Sequence, residues 1–229
     1  MLEEDLMPYQ WPYQGDLRPF DSLQEVARET VPYLETGNIA LSGGSTYGDL
    51  FPLWAELKPD CTGSRFFPAD ERMVPLKDPA SNWRKAYESF LVPVKRAQDV
   101  GHFPVSADGY NGVINSYFLG FFPVFDVIFL GMGEDGHTAS LFPGGTYWDE
   151  ENTAAIETES PVPPTRRISL SPEVIVKAHH VVVIIAGEYK LWAVKQVFEK
   201  NQEIPLVKIL EKRKNSLVYL HSGLLKEMK

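Results

Sequence analysis

The fold is indicated most clearly by residues 125–144, which read FDVIFLGMGEDGHTASLFPG. The first six are almost all apolar, as expected of a strand that is buried on both faces of a parallel sheet. The glycines that follow have the spacing G-x-G-x-x-G, which is also typical of a Rossmann nucleotide-binding loop. A Rossmann loop leads directly into a helix, whereas Pro143 comes seven residues after the last of these glycines. We therefore predict a buried strand followed by a glycine-rich loop that presents His137.

Apolar runs and helical patterns alternate on both sides of this stretch. Strands are predicted at residues 38–42, 65–69, 125–130, 168–170, 181–186 and 217–220. Helices are predicted at residues 21–35, 82–91, 111–119, 171–178 and 188–200. In the first helix we expect Asp21 to cap the N-terminus and Pro32 to shorten the C-terminal half. The alternation is typical of an α/β fold, Rossmann-like and three-layered, in which helices flank a mostly parallel sheet.

The organisation of the chain is predicted to be simple. Residues 1–229 contain no internal repeat and no low-complexity segment, and we interpret them as a single domain. Residues 144–165 are rich in Gly, Glu, Thr and Pro, which favours a long surface connection rather than a domain boundary.

Charge and composition argue against several classes of protein. The chain has 229 residues and a net charge of −9, which is unlike a general nucleic-acid binder. Residues 1–5 are acidic where a secretion signal would be basic, and the longest apolar run, at 181–186, is too short to cross a bilayer. We therefore expect a cytoplasmic protein that binds neither nucleic acid nor membrane. A single cysteine, Cys61, rules out an internal disulfide.

The loops that follow strands are the first places to look for a site, because α/β proteins bind ligands at the carboxyl ends of their strands. The loop after the first predicted strand reads Ser42-Gly43-Gly44-Ser45-Thr46. Its glycines let the backbone approach a ligand closely, and its hydroxyls add donors. This pattern predicts a phosphate cradle, although it is not a Walker loop and could also be an ordinary tight turn.

A second loop carries three consecutive charges, Asp70-Glu71-Arg72. A solvated loop is one interpretation. The alternative is that Asp70 and Arg72 point into a shared cleft, where Arg72 could contact a phosphate or a developing oxyanion.

Further candidates are one histidine and two cations. His137 follows Asp135, which could orient its imidazole, although a lone histidine is more often structural. Arg167, in the pair Arg166-Arg167, and Lys190, near the start of a predicted helix, are either surface charges or anion ligands. The sequence has no G-x-S-x-G elbow, and no histidine pair has metal-ligand spacing, so we expect no metal.

These loops, in this order, resemble the 6-phosphogluconolactonase family, within the glucosamine-6-phosphate isomerase/deaminase superfamily. The matching stretches are residues 41–46, 70–75, 81–82, 130–144, 167–170 and 187–190. Lactonases carry Asp-Glu-Arg in the second loop and Ala-Ser-Leu-Phe-Pro at the end of the third, as here, whereas deaminases carry Asp-Glu-Tyr and an Ala-Phe-Asn-Glu type of ending. One departure is Tyr47, where the family usually has proline.

The resemblance implies a glucosamine-6-phosphate deaminase-like fold and a cofactor-free enzyme that hydrolyses 6-phospho-D-glucono-1,5-lactone in the oxidative pentose phosphate pathway. His137 would move the protons, with Asp135 holding it and Asp70 positioning the site. Arg167 and Lys190 would clamp the phosphate, and Arg72 would contact anionic oxygens together with the first loop, whose members are Ser42, Gly43, Gly44, Ser45 and Thr46. The expected partner is a sugar-phosphate lactone, and the expected state is a monomer or weak homo-oligomer.

Two alternatives stay open at this point. One is a deaminase or aldose–ketose isomerase, against which Arg72 argues. The other is a sugar-phosphate sensor without catalysis, against which His137 argues.

Overall fold

The computed structural model describes residues 10–95, 106–149 and 152–228. In chain order its strands are β1 (Gly15–Phe20), β2 (Thr36–Leu41), β3 (Gly63–Pro68), β4 (Asp70–Arg72), β5 (Val127–Leu130), β6 (Ala155–Glu159), β7 (Arg166–Leu170), β8 (His180–Ile185) and β9 (Ser216–His221). Its helices are α1 (Leu23–Thr30), α2 (Ser45–Glu56), α3 (Asn82–Ala86), α4 (Ala107–Tyr117), α5 (Pro172–Lys177), α6 (Leu191–Phe198), α7 (Pro205–Glu211) and α8 (Ser222–Glu227). A π-helical turn at Tyr87–Leu91 continues α3, and short 3₁₀ turns lie at Val31–Leu34, Tyr147–Asp149 and Glu188–Lys190.

The larger sheet has six strands in the order β1-β9-β8-β5-β2-β3, and every neighbouring pair is parallel. All four residues of β5 are buried, as predicted for a strand covered on both faces. From β2 the chain continues to β3 on one side, whereas from β5 it leads, through β6 and β7, to β8 on the other side. The connections therefore diverge between β2 and β5, which is where a crevice opens in sheets of this kind.

Both faces of this sheet are covered, which confirms the predicted α/β layering. Val182 and Ile184 of β8 belong to a core that includes residues of α1 and α2. Val181 and Val183 point the opposite way, into a core shared with α6, α7 and a second sheet. Adjacent residues alternate between the two cores because successive side chains of a strand face opposite sides.

The second sheet has three antiparallel strands in the order β4-β7-β6, and it corrects two predictions. Asp70–Arg72 is not a loop but the strand β4, because its charged side chains have partners or line a cleft rather than facing solvent. Residues 144–165 are not only a surface connection, since they contain β6, whose Ala155 and Ile156 are buried. The overall composition of that segment obscured a strand of only five residues.

Helix boundaries follow local capping chemistry. The N-cap of α1 is Ser22 rather than the predicted Asp21, because the Ser22 hydroxyl accepts a hydrogen bond from the Glu25 amide. α1 ends at Thr30, two residues before Pro32, as predicted. The cap Ser171 and the first-turn Pro172 begin α5, also as predicted. In the part of the chain that the structure describes, no helix has the length and apolarity needed to cross a membrane.

Candidate active site

A cleft of about 230 Å³ opens at the carboxyl ends of β2 and β5, where the connections diverge. All the site residues predicted from the sequence line it, except Asp135. The cleft is also lined by residues that the sequence analysis did not assign to the site, among them Tyr47, Asn82 and Tyr189.

The loop between β2 and α2 forms one wall, and its glycines have defined reasons to be there. Gly44 has a φ of +90°, a conformation that residues with a side chain rarely adopt. A Cβ on Gly43 would lie 2.1 Å from the Asn82 Oδ1, so only glycine fits beside that amide. α2 begins immediately after, at Ser45, and directs its N-terminal amides and the positive end of its dipole at the cleft.

Ser42, at the start of this loop, is buried at the cleft, and its hydroxyl has no hydrogen-bond partner among the described residues. Buried hydroxyls are nearly always hydrogen-bonded, so a hydroxyl without a partner at a cleft is typical of a ligand-binding position.

Lys190 approaches the start of α2 from the β8 side. Its side chain is only 4% exposed, and Nζ donates a hydrogen bond to Thr46 Oγ1 at 3.2 Å. Burial lowers the pKa of Lys190 to about 8. Across residues 10–95, 106–149 and 152–228, the structure gives this ammonium no carboxylate partner within 4 Å. A buried cation without a counter-ion is costly, and an anion at the N-terminus of α2 would neutralise it.

Arg72 and Arg167 form a second group of cations. They are direct partners across the antiparallel pair β4–β7, an arrangement in which like charges repel. Burial and then the charge of Arg72 lower the pKa of Arg167. Arg167 donates to Pro164 O and Ser160 Oγ, and Arg72 donates to Ala80 O. Neither arginine has an ion pair with any described residue, so both can receive an anion.

Glu71, between Asp70 and Arg72, is held away from the cleft. Its carboxylate accepts hydrogen bonds from the backbone amides of Arg72, Asn82 and Trp83, each at 2.7 Å, and from Ser81 Oγ at 2.9 Å. Burial raises the pKa of Glu71, although these four hydrogen bonds act in the opposite direction. Glu71 therefore anchors the N-terminus of α3, which places Asn82 at the cleft.

Asp70 faces the cleft and is held by two neutral donors. Ser140 Oγ donates to its Oδ2 at 2.8 Å, and Asn82 Nδ2 donates to the same oxygen at 3.2 Å. Sequence reasoning did not assign Ser140 or Asn82 to the site, although both lie inside the stretches that carry the family resemblance. Side chains alternate along a strand, so Asp70 and Arg72 lie on the cleft face of β4 and Glu71 lies on the other face.

His137 lies in the loop after β5, paired with Asp135. His137 Nδ1 is 2.5 Å from Asp135 Oδ1, and the His137 amide donates to the same oxygen at 3.1 Å. Partial burial raises the pKa of Asp135, but the hydrogen bond and charge of His137 outweigh it and leave that pKa below its usual value. Asp135 is therefore an acceptor at neutral pH, so Nδ1 carries the proton of the neutral ring. This leaves the lone pair of Nε2 available for a proton.

The glycines of this loop make room for the imidazole rather than for a nucleotide. A Cβ on Gly133 would lie 2.2 Å from His137 Cε1, and Gly136 has a φ of +83°. No helix continues from these glycines, and the next helical turn begins at Tyr147. The interpretation of residues 131–136 as a loop that is not of the Rossmann type is therefore confirmed.

The remaining candidate charges lie elsewhere. Arg166 is exposed and pairs with Glu157, in contrast to its buried neighbour Arg167. His179 and His180 are outside the cleft, at the N-terminal ends of β5 and β8, whereas the cleft lies at the carboxyl end of β5. The described ranges contain no group of three or more His, Cys, Asp or Glu side chains that could hold a metal ion.

Comparison with known proteins identifies the family to which the chain is similar. The family model described as glucosamine-6-phosphate isomerases/6-phosphogluconolactonase matches residues 20–219. A 6-phosphogluconolactonase of Haemophilus influenzae is 32% identical over 212 residues, covering 83% of this chain and 88% of that protein. The chloroplastic 6-phosphogluconolactonase 3 of Arabidopsis thaliana is 35% identical over 157 residues, which cover 61% of this chain and 48% of that protein.

A solved structure gives the same result at the level of the fold. The 6-phosphogluconolactonase from Trypanosoma cruzi superposes with a TM-score of 0.77 at 26% identity, covering 97% of this chain and 99% of that one. With the family model and the close relatives, this shows that the chain belongs to the 6-phosphogluconolactonase family, within the wider group that includes the glucosamine-6-phosphate isomerases.

Proposed function

We propose that this chain hydrolyses 6-phospho-D-glucono-1,5-lactone to 6-phospho-D-gluconate, the lactonase step of the oxidative pentose phosphate pathway. One observation carries the proposal. The same cleft contains cations that have no counter-ion among the described residues and a histidine that is already paired with a carboxylate. The cations suit a phosphate ester, and the histidine suits the proton transfers of ester hydrolysis. The printed names of the relatives point to the same reaction.

The phosphate would bind between Lys190 and Arg167, at the N-terminus of α2. Thr46 already holds the Lys190 ammonium at this end of the cleft, and Ser45 supplies a hydroxyl and an amide beside it. Helix N-termini bind phosphates because their first amides have no acceptors within the helix. Binding would also stabilise the protein, since it neutralises buried positive charge.

His137 would act first as a general base and then as a general acid. Nε2 takes a proton from a water molecule, and the hydroxide attacks the lactone carbonyl carbon. When the tetrahedral intermediate collapses, the bond from that carbon to the ring oxygen breaks, and the imidazolium returns its proton to the leaving alkoxide. Asp135 fixes the tautomer and stabilises the imidazolium, which is why its short contact with Nδ1 matters.

The negative charge that develops on the carbonyl oxygen needs donors on the other side. Arg72 and the backbone amides of Gly43 and Gly44 line the cleft and are our candidates for this role. Asp70 would orient the sugar. Ser140 and Asn82 both bind its Oδ2, which leaves Oδ1 to accept a hydrogen bond from a substrate hydroxyl.

The test is the rate of acid release from freshly prepared 6-phosphogluconolactone, with and without the protein and in the presence of a chelator. We expect a chelator-resistant acceleration over the spontaneous rate. No acceleration would contradict the proposal. Ammonia release from glucosamine 6-phosphate would then indicate a deaminase, and binding of 6-phosphogluconate without turnover would indicate a sensor.

A further inference from the structure

Tyr47 is a buried side chain at the cleft with one specific polar contact. It lies in the first turn of α2, its side chain is 0% exposed, and its ring packs against Phe51 and Trp54 of the same helix. Its hydroxyl donates to Leu130 O at 3.0 Å. Burial raises the pKa of Tyr47 well above its ordinary value, so the hydroxyl stays protonated and remains a donor.

The acceptor is the last carbonyl of β5, and the following carbonyl is bound in the same way. Leu130 O receives Tyr47 Oη, and Gly131 O receives Thr138 Oγ1 at 2.7 Å. The pairing of β5 with β2 ends one residue earlier, at Phe129, whereas its pairing with β8 continues to Leu130. Two side-chain hydroxyls therefore hold the backbone where the strand ends and the loop of His137 begins, one from each end of the cleft.

We propose that Tyr47 is a positioning residue for His137. It fixes the start of the His137 loop relative to α2, the helix whose first turn forms the anion-binding end of the cleft. This inference rests on the proposed lactonase reaction. A phosphate held at α2 and a base held by the loop after β5 act on one substrate, so the distance between them must be kept within a fraction of an ångström.

Loss of the hydroxyl should affect catalysis rather than substrate binding. In Tyr47→Phe the ring and its packing against α2 remain, so Ser45, Thr46 and Lys190 keep their places. The Leu130 carbonyl keeps its place in the pairing with β8 but loses its side-chain donor from α2, so the start of the loop that carries His137 is no longer tied to that helix.

The experiment compares Tyr47→Phe with Tyr13→Phe, a matched control. Tyr13 Oη also donates to a backbone carbonyl, that of Val197 in α6, but Tyr13 does not line the cleft. We expect Tyr47→Phe to lower kcat on the order of tenfold with KM unchanged, because misplacement of a base by 1 Å or less has effects of that size. Tyr13→Phe should change neither kcat nor KM, and thermal melts establish that both variants are folded.

Thr138→Val is a second test. It removes the hydrogen bond from Thr138 Oγ1 to the Gly131 carbonyl and should lower kcat in the same way. A wild-type kcat in Tyr47→Phe would overturn the inference whatever the result for Thr138→Val, as would a rise in KM without a fall in kcat. If the unaltered protein shows no lactonase activity, the proposed function fails instead, so the two failures are distinguishable.

Discussion

The two ends of the cleft are prepared for their ligands in opposite ways. At the α2 end, Lys190 is buried without a carboxylate in the described part of the chain, and the Ser42 hydroxyl lacks a partner there. At the β5 end, His137 already has its partner, because Asp135 binds Nδ1 and orients the ring. The difference indicates that the proposed binding groups are left for the substrate to satisfy, whereas the group proposed to transfer protons is held in place beforehand. Substitutions of the unpaired binding groups at the first end should therefore change KM, and substitutions that remove or displace His137 at the second end should change kcat.

The largest effect is expected at the β5 end. His137→Ala should lower kcat on the order of 10²-fold or more, because general acid–base catalysis contributes at least that much, while KM stays close to the wild-type value. Steady-state hydrolysis of fresh lactone measures both. His179→Ala is the control, since His179 lies away from the cleft and should leave the rates unchanged. Normal turnover by His137→Ala would remove His137 from the mechanism.

A smaller effect, on KM rather than on kcat, is expected for Arg167, and its sequence neighbour Arg166 is the control. Arg167→Ala should raise KM about 10- to 100-fold, the equivalent of the roughly 1.5–3 kcal/mol that a hydrogen bond to a charged group contributes. Arg166→Ala removes the same charge from an exposed position that pairs with Glu157, and KM should not change. Equal KM values for the two variants would show that proximity to the cleft, rather than position in it, determines binding.

The smallest effect is a pH dependence of KM. It distinguishes the two ends of the cleft because we expect it to arise from Lys190, at the α2 end. The free-enzyme pKa of Lys190 is lowered to about 8 by burial, and only the protonated amine attracts the phosphate. KM should therefore rise as pH increases through about 8, whereas kcat should not follow the same curve. Lys190→Arg keeps a positive charge over this range and should lose the alkaline rise in KM. Persistence of the rise in that variant would assign it to another group.

Part of this arrangement could be predicted from the sequence, and the limit has a physical cause. The loops after β2 and β5 were found because buried apolar runs predict strands, and strand ends predict sites. β1, β4 and β6 were missed. β4 and β6 are short and depend on pairing with β7, which is remote from β4 in the chain, and β1 is a mostly exposed strand that pairs with the distant β9. The contacts of Asn82 with Asp70 and of Tyr47 with Leu130 join separate segments of the chain, so no local sequence pattern predicts them.

The single-domain organisation, the cytoplasmic location, the oligomeric state and the individual roles of the site residues are still predictions.

The alternation of side chains along β4 also helps to fix the register in which this strand pairs with β7. A slip of one residue that moved Arg72 into the position of Glu71 would turn Glu71 into the cleft and aim Arg72 at the amides of the α3 N-terminus, where a positive charge is repelled. The buried amides of Asn82 and Trp83 would lose their acceptor at the same time. The order of signs, two negative charges and then one positive, therefore disfavours a slip in that direction. A three-residue strand gains from this pattern a specificity of alignment that its few backbone hydrogen bonds do not provide.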